Sequence, residues 1–172
     1  NKGDHTAWRE SFKTLDEIER AKVIEPAIHP TQGPLRMGEV VNVVAEATQG
    51  DAVLVTDVGQ NQLFATRYFK YPKRRSICTS GGLGTMGFGL GAAIGAAKAT
   101  GKKTVLFTGD GSFGMNLNEL ATVSSENIPV VIIIMNNHVL GMVRQWQTLF
   151  FQKHYSNTDL HGRKTDFMKL AD

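Results

Sequence analysis

Two apolar runs with a helical period between them constrain this chain more than any other feature. Thr104 to Thr108 (Thr-Val-Leu-Phe-Thr) reads as a short buried strand. Pro129 to Met135 (Pro-Val-Val-Ile-Ile-Ile-Met) reads as a second, with the β-branched enrichment of a strand covered on both faces. Between them, Asn116 to Glu126 places Leu117, Leu120, Ala121 and Val123 on a helical period. Strand, helix and strand in that order make a β-α-β unit. Such crossovers are right-handed and leave their strands parallel, so both carboxyl ends lie on one edge of a sheet. As neighbours, the strands would stand roughly 5 Å apart.

Polar residues close each run. Gly109-Asp110-Gly111-Ser112-Phe113 follows the first, and Met135-Asn136-Asn137-His138 ends the second. Asp110 and Asn137 carry hard oxygens that suit Mg²⁺ or Ca²⁺ and poorly suit a softer metal. The Gly-Ser-Phe-Gly turn opens a helix, whose first N–H groups favour phosphate. One edge therefore offers a cation site beside an anion site, the requirements of a metal-bound diphosphate. Taken singly, Asp110 is as readily a helix N-cap or turn residue, and Asn136-Asn137 a strand-end turn. The pair at this spacing, in a β-α-β setting, favours the site.

Alternation runs through most of the chain. Asn1 to about Val23 is polar, with Trp8, Phe12 and Leu15 spaced for a helical face. Glu25 to Pro34 holds Pro26, Pro30, Gly33 and Pro34 and reads as a linker or extended segment. Leu35 to Thr48 is predicted helical, Ala52 to Thr56 a strand, Gln62 to Tyr68 a helix and Ser76 to Thr79 a short strand. A Gly-rich stretch, Gly81 to Gly91, leads into a small-residue helix to Ala99, and Val139 to Phe151 is partly helical. This is the pattern of an α/β fold with a doubly wound parallel sheet. Residues 1–34 are expected to be an N-terminal helix and Pro-rich linker from a preceding domain, and 35–172 the ligand-binding domain.

Composition narrows the function classes. Lys plus Arg is 19 and Asp plus Glu 16, a net +3 too mild to argue for nucleic acid. Lys73-Arg74-Arg75 reads as a solvated loop. Cys78 is the single cysteine, so no internal disulfide forms, and a reducing, cytoplasmic setting is expected. Apolar runs are strand-sized, so no membrane partner is expected, and no signal peptide is visible. The chain starts at Asn1 and ends within an apparent helix, Asp166 to Ala171, and both ends read as cuts. The expectation is a fragment of a longer protein.

Gly82-Leu83-Gly84-Thr85-Met86-Gly87 matches G-x-G-x-x-G and raises a dinucleotide-binding Rossmann domain as an alternative. Against it, the preceding run is short and polar, Asp110 opens its own Gly-rich turn, and Asn136-Asn137 stays unexplained. A plainer reading has the glycines permit close helix–sheet packing, plausible for Gly89, Gly91 and Gly95 and less so for Gly84.

The sequence G-D-G-S-F…N-N resembles the metal–diphosphate motif of thiamine diphosphate enzymes. Leu35 to Ala171 is similar to their C-terminal diphosphate-binding domain. Asp57-Val58-Gly59-Gln60-Asn61-Gln62, Thr79 to Gly87, and Gly141-Met142-Val143-Arg144-Gln145-Trp146-Gln147 resemble the catalytic subunits of the acetolactate synthase family. The resemblance implies that Asp110, the Asn137 side-chain oxygen and the Val139 carbonyl bind Mg²⁺. It implies that Gly59, Gln60, Asn61, Gly111 and Ser112 hold the diphosphate. Gly84 and Met86 would contact the aminopyrimidine, with Met86 as the wedge that bends the cofactor. Gly141 and Met142 would approach the cofactor from the other side, and Trp146 would line the second-substrate pocket. Without the motif, Met86 and Trp146 would be read as core packing.

The implied reaction joins two pyruvates, or pyruvate and 2-ketobutyrate, into an acetohydroxyacid with loss of CO₂, in branched-chain amino-acid synthesis. Another thiamine diphosphate decarboxylase, carboligase or oxidase stays open. The family also implies FAD in the full-length protein, a homodimer or tetramer with the active site between subunits, and a possible small regulatory subunit. The glutamate that activates the aminopyrimidine would come from a partner's domain. Glu39, Glu46, Glu119 and Glu126 do not match it, so the isolated chain is expected to fold, to bind the cofactor weakly at best and not to turn over pyruvate.

Overall fold

A computed structural model describes residues 3–71 and 76–172. The basic run at 73–75 lies outside the described residues. Helix α1 (Thr6–Glu19) runs through a π turn (Arg20–Ile24) into α2 (Glu25–Ile28). The expected linker is thus helical to Ile28. Pro26 lacks an N–H and its ring crowds the carbonyl four residues back, and the wider π turn just before it eases that conflict. Trp8, Phe12 and Leu15 do share a helix, but the face they form is exposed.

The α/β body follows in chain order: α3 (Met37–Ala47), β1 (Val53–Thr56), α4 (Gln60–Tyr68), β2 (Ile77–Thr79), α5 (Phe88–Thr100) and β3 (Thr104–Gly109). Then come α6 (Asp110–Asn116), a 3-10 turn (Leu117–Glu119), α7 (Leu120–Ser125), β4 (Val130–Met135), α8 (Gly141–Phe150) and α9 (Phe167–Ala171). The predicted single crossover helix is therefore broken into α6, the turn and α7, and it begins earlier, at Asp110. Asp166 caps α9, its carboxylate accepting the amides of Met168 and Lys169.

All pairings in the sheet are parallel, in the order β2-β1-β3-β4. Strand side chains alternate between two cores. Leu54, Val105 and Phe107 pack with Val41, Ala45 and Ala65 of α3 and α4. Val53, Val55 and Leu106 pack on the other face with Leu90, Ala93 and Phe113 of α5 and α6. Burial of each large aliphatic here contributes about 1.5–3 kcal/mol. The fold is doubly wound, as expected. One expectation fails at β4: it is an edge strand, and Val131 is 51% exposed. β-Branched enrichment marks a strand, but only the sheet order says whether helices cover both of its faces.

Candidate functional site

β1 connects outward to β2, and the chain then returns across β1 to lay down β3. The carboxyl ends of β1 and β3 thus flank the point where strand order reverses, and crevices form at such points. A cavity of about 240 Å³ opens there. Gly59, Gln60 and Asn61 line it from the end of β1, Gly84 and Met86 from the Gly-rich turn, and Asp110, Gly111 and Ser112 from the end of β3. Asn137, Val139, Gly141 and Met142 line it from beyond β4. Every residue expected to touch the cofactor or the metal is in these walls; Trp146, expected at the second-substrate pocket, is not among them. That ring is 58% exposed on α8, outside the cavity, with its centroid 4.8 Å from that of Phe150.

The β3–β4 register pairs Gly109 with Met135, which sets Asp110 and Asn137 just past adjacent strand ends. Asp110 is 6% exposed and is the first residue of α6, with Gly109 as the N-cap. It makes no cap bond, so the N-cap reading does not hold. Asn137 Oδ1 accepts the Val139 amide at 3.1 Å, and His138 between them takes a left-handed φ of 56°. This tight turn fixes the Asn137 amide and draws the Val139 backbone beside it. A later segment braces the turn: the Leu140 amide donates to the Thr158 carbonyl and the Leu160 amide to the His138 carbonyl. No periodicity around Thr158 signalled that role. Next to it, Asp159 is held below the usual carboxylate range, chiefly by the His161 amide and then by the His161 ring.

Several predicted anion contacts already have protein partners. The Asn61 side-chain amide donates to the carbonyls of Asp57 and Phe107 at 3.0 and 3.2 Å, tying β1 to β3. Ser112 Oγ donates to the Val58 carbonyl at 3.0 Å. Both residues are buried, so what they offer a ligand is backbone N–H at the starts of α4 and α6, where helix geometry leaves amides without an intrahelical acceptor. Two glycines are needed for room. A Cβ on Gly141 would meet Gln60 Oε1 at 2.3 Å, and one on Gly111 would meet Leu140 Cδ2 at 2.7 Å, with Met86 Cε 3.6 Å away.

The glycines of α5 divide differently from the sequence reading. A Cβ on Gly89 would lie 2.7 Å from Leu106 Cδ1 and 2.9 Å from Asp57 Cβ, so close helix–sheet packing holds there. Around Gly91 and Gly95 there is nothing within 4 Å of such a Cβ, because both face away from the sheet.

Among the described residues there is no group of three or more His, Cys, Asp or Glu side chains placed to hold a metal. The oxygen donors lining the cavity are the Asp110 carboxylate, the side-chain amides of Gln60, Asn61 and Asn137, the Ser112 hydroxyl and backbone carbonyls. Such a set suits a hard divalent cation that takes its remaining ligands from an anionic partner and water. The dinucleotide alternative fails on topology: its Gly-rich segment follows β2, an edge strand, whereas that fingerprint follows the first strand at the crevice.

Asp57 is the residue to which the sequence reading gave no role. It is 1% exposed, and its carboxylate accepts hydrogen bonds from Val58, Gly87 and Thr108. The available signal was an acid directly after a buried strand, the same signal that singled out Asp110.

Residues 57–172 match the family described as thiamine pyrophosphate enzyme, C-terminal TPP binding domain. The chain is 46% identical over 144 residues to the acetolactate synthase large subunit of Lactococcus lactis subsp. lactis, covering 83% of this chain and 25% of that protein. It is 45% identical over 159 residues to acetolactate synthase 1, chloroplastic, of Nicotiana tabacum, covering 91% and 23%. Against the probable acetolactate synthase large subunit of Methanocaldococcus jannaschii it is 42% identical over 172 residues, covering 98% and 29%. The chain spans about a quarter of the length of the curated relatives it matches.

Proposed function

The chain belongs to the thiamine pyrophosphate enzymes, as their C-terminal TPP-binding domain, and from that premise we propose that the cavity holds thiamine diphosphate with Mg²⁺ in an acetolactate synthase catalytic subunit. The observation that carries the reading is the convergence of Asp110, Asn137 and the strand-end glycines on one cavity at the switch point. The donor set fits the group. A lone carboxylate neutralises half of a divalent charge, so the diphosphate must supply the rest, and metal and diphosphate bind as a pair.

When bound, the cofactor supplies an electron sink that lets a 2-keto acid lose CO₂ and pass its two-carbon unit to a second 2-keto acid. The chain's own residues bind and orient. Asp110 and Asn137 Oδ1, with the Val139 carbonyl, are the proposed metal ligands. The amides of Gly59, Gln60, Asn61, Gly111 and Ser112 are the proposed diphosphate donors. Met86, Leu140 and Met142 give the cavity apolar walls that exclude water. Among the described residues Asp110 is the one acid lining the cavity, and the family resemblance assigns a second acid, the proton-transfer group for the aminopyrimidine, to a partner subunit. FAD and a regulatory subunit belong to the same proposal for the whole protein.

Calorimetry of the full-length protein with thiamine diphosphate plus Mg²⁺, against NAD as control, tests the reading. Asp110→Ala should abolish Mg²⁺-dependent binding while leaving the fold intact. Retained affinity in that variant, or binding of NAD alone, would refute the assignment. Acetolactate formation from pyruvate by the full-length protein tests the reaction.

A further inference from the structure

We infer that Asp57 is a positioning residue: its buried carboxylate holds the Met86–Gly87 peptide, and with it the Met86 side chain, at the depth where Met86 lines the cavity. The inference rests on the reading of that cavity as a thiamine diphosphate site. The Gly-rich turn has little else to set its depth. Gly84 and Gly87 take left-handed φ values of 61° and 85°, Leu83 is exposed, and a Cβ on Gly82 or Gly84 would touch nothing within 4 Å. A turn so sparsely packed must be placed by hydrogen bonds.

One lies within the turn, where the Thr85 amide donates to Ser80 Oγ at 3.1 Å, and those that reach the turn from outside converge at Gly87. Its N–H, which belongs to the peptide begun by Met86, donates to Asp57 Oδ1 at 3.0 Å. Its carbonyl accepts from Asn116 Nδ2 at 2.7 Å. Asp57 is in turn fixed on all sides. Oδ1 also accepts the Val58 amide at 2.8 Å, and Oδ2 accepts the Thr108 hydroxyl at 3.2 Å. The Asp57 amide donates to the Phe107 carbonyl and its carbonyl accepts from Asn61. The carboxylate therefore transmits the positions of β1 and β3 to the turn. It faces three donors, which an acceptor-only group meets fully. It also lies under the first turn of α5, with Oδ2 3.0 Å from a Cβ on Gly89, where the helix N-terminus favours negative charge.

The test reads two quantities on the same variants: amide hydrogen exchange at Gly87 without ligand, and calorimetric affinity of the full-length protein for thiamine diphosphate plus Mg²⁺. For Asp57→Ala, exchange at Gly87 and the cofactor Kd should each rise at least about tenfold while the Leu106 amide in β3 stays slow. Asp57→Asn keeps an oxygen that can accept from Val58 and Gly87, and its NH₂ can donate to Thr108 Oγ1 once that hydroxyl turns to the Gly109 carbonyl, 3.3 Å away. It should return both readouts most of the way to the parent. If Asp57→Ala does not fold, Thr108→Val must speed Gly87 exchange without speeding Leu106, and equal acceleration overturns the inference. So does unchanged exchange in Asp57→Ala, or damage by Asp57→Asn as severe as by alanine. A full-length parent protein that binds no thiamine diphosphate overturns the proposed function instead, and the clamp is then judged on Gly87 exchange alone.

Discussion

The same substitution at two positions of α5 should change stability in opposite directions. Gly95→Ala places a methyl in open space, with nothing within 4 Å, in the middle of a helix running Phe88–Thr100. It removes the backbone entropy that glycine loses on folding, so it should stabilise by about 0.5–1 kcal/mol. Gly89→Ala places the methyl 2.7 Å from Leu106 Cδ1 and 2.9 Å from Asp57 Cβ. Leu106 is fully buried in the central strand β3, and Asp57 is fixed by its hydrogen bonds, so neither can swing away. Overpacking of this kind costs about 1–3 kcal/mol. The propensity gain offsets little of it, because Gly89 sits in the first turn. For a chain of this length about 1 kcal/mol moves Tm by roughly 2–4 °C. Thermal and urea unfolding should therefore show Gly95→Ala raised by about that amount and Gly89→Ala lowered by roughly 2–10 °C, at unchanged m-value. Gly91→Ala should follow Gly95→Ala. A Gly89→Ala chain as stable as Gly95→Ala would refute the claim that α5 presses on β1 and β3 at Gly89.

Burial pushes the Tyr71 phenol up to about 12 from 10.0, disfavouring phenolate in the folded chain. Its contribution to stability is thus intact below about pH 10 and is lost as pH rises toward 12. An absorbance titration should show a phenol step displaced toward pH 12, and Tyr71→Phe should remove it. Glu126 is held below its usual value by the hydrogen bond and charge of Lys98, 2.9 Å away. A lowered carboxylate stabilises above its unfolded value and loses that contribution as pH falls through its folded one. Lys98→Met should return the Glu126 titration, followed by NMR, to the ordinary range, with little change in stability for so exposed a pair. Finally, the 172-residue chain alone should form no acetolactate from pyruvate even with thiamine diphosphate and Mg²⁺ supplied, and measurable product would refute the partner-acid assignment.

Legibility differed from residue to residue. Asp110 and Asn137 were legible because each follows an apolar, strand-sized run, and right-handed crossover then leaves one geometry for the pair. The glycines at 111 and 141 were legible as motif, but why they are glycine depends on Leu140 and Gln60 reaching in from other segments. Trp146 was legible only as motif: it stands exposed on α8, outside the cavity, and a second-substrate pocket shared with a partner subunit would have to form over it. Pro26 read as a helix end, and the π turn that lets the helix continue has no sequence signature of its own.

By itself the sequence determined the local elements, the parallel sense of the strands and the edge on which the site residues gather. Those follow from hydrophobic period and crossover chirality, which act within a few tens of residues. The tertiary structure decided what depends on pairing between distant segments. The insertion of β3 between β1 and β4 opens the crevice at the switch point. The burial of Asp57 beneath α5 turns a strand-end acid into a clamp on a turn thirty positions away. Neither depends on residue type alone: strand order is settled by the competition of whole faces for burial, and a carboxylate becomes a clamp only where folding brings donors to it in the absence of water.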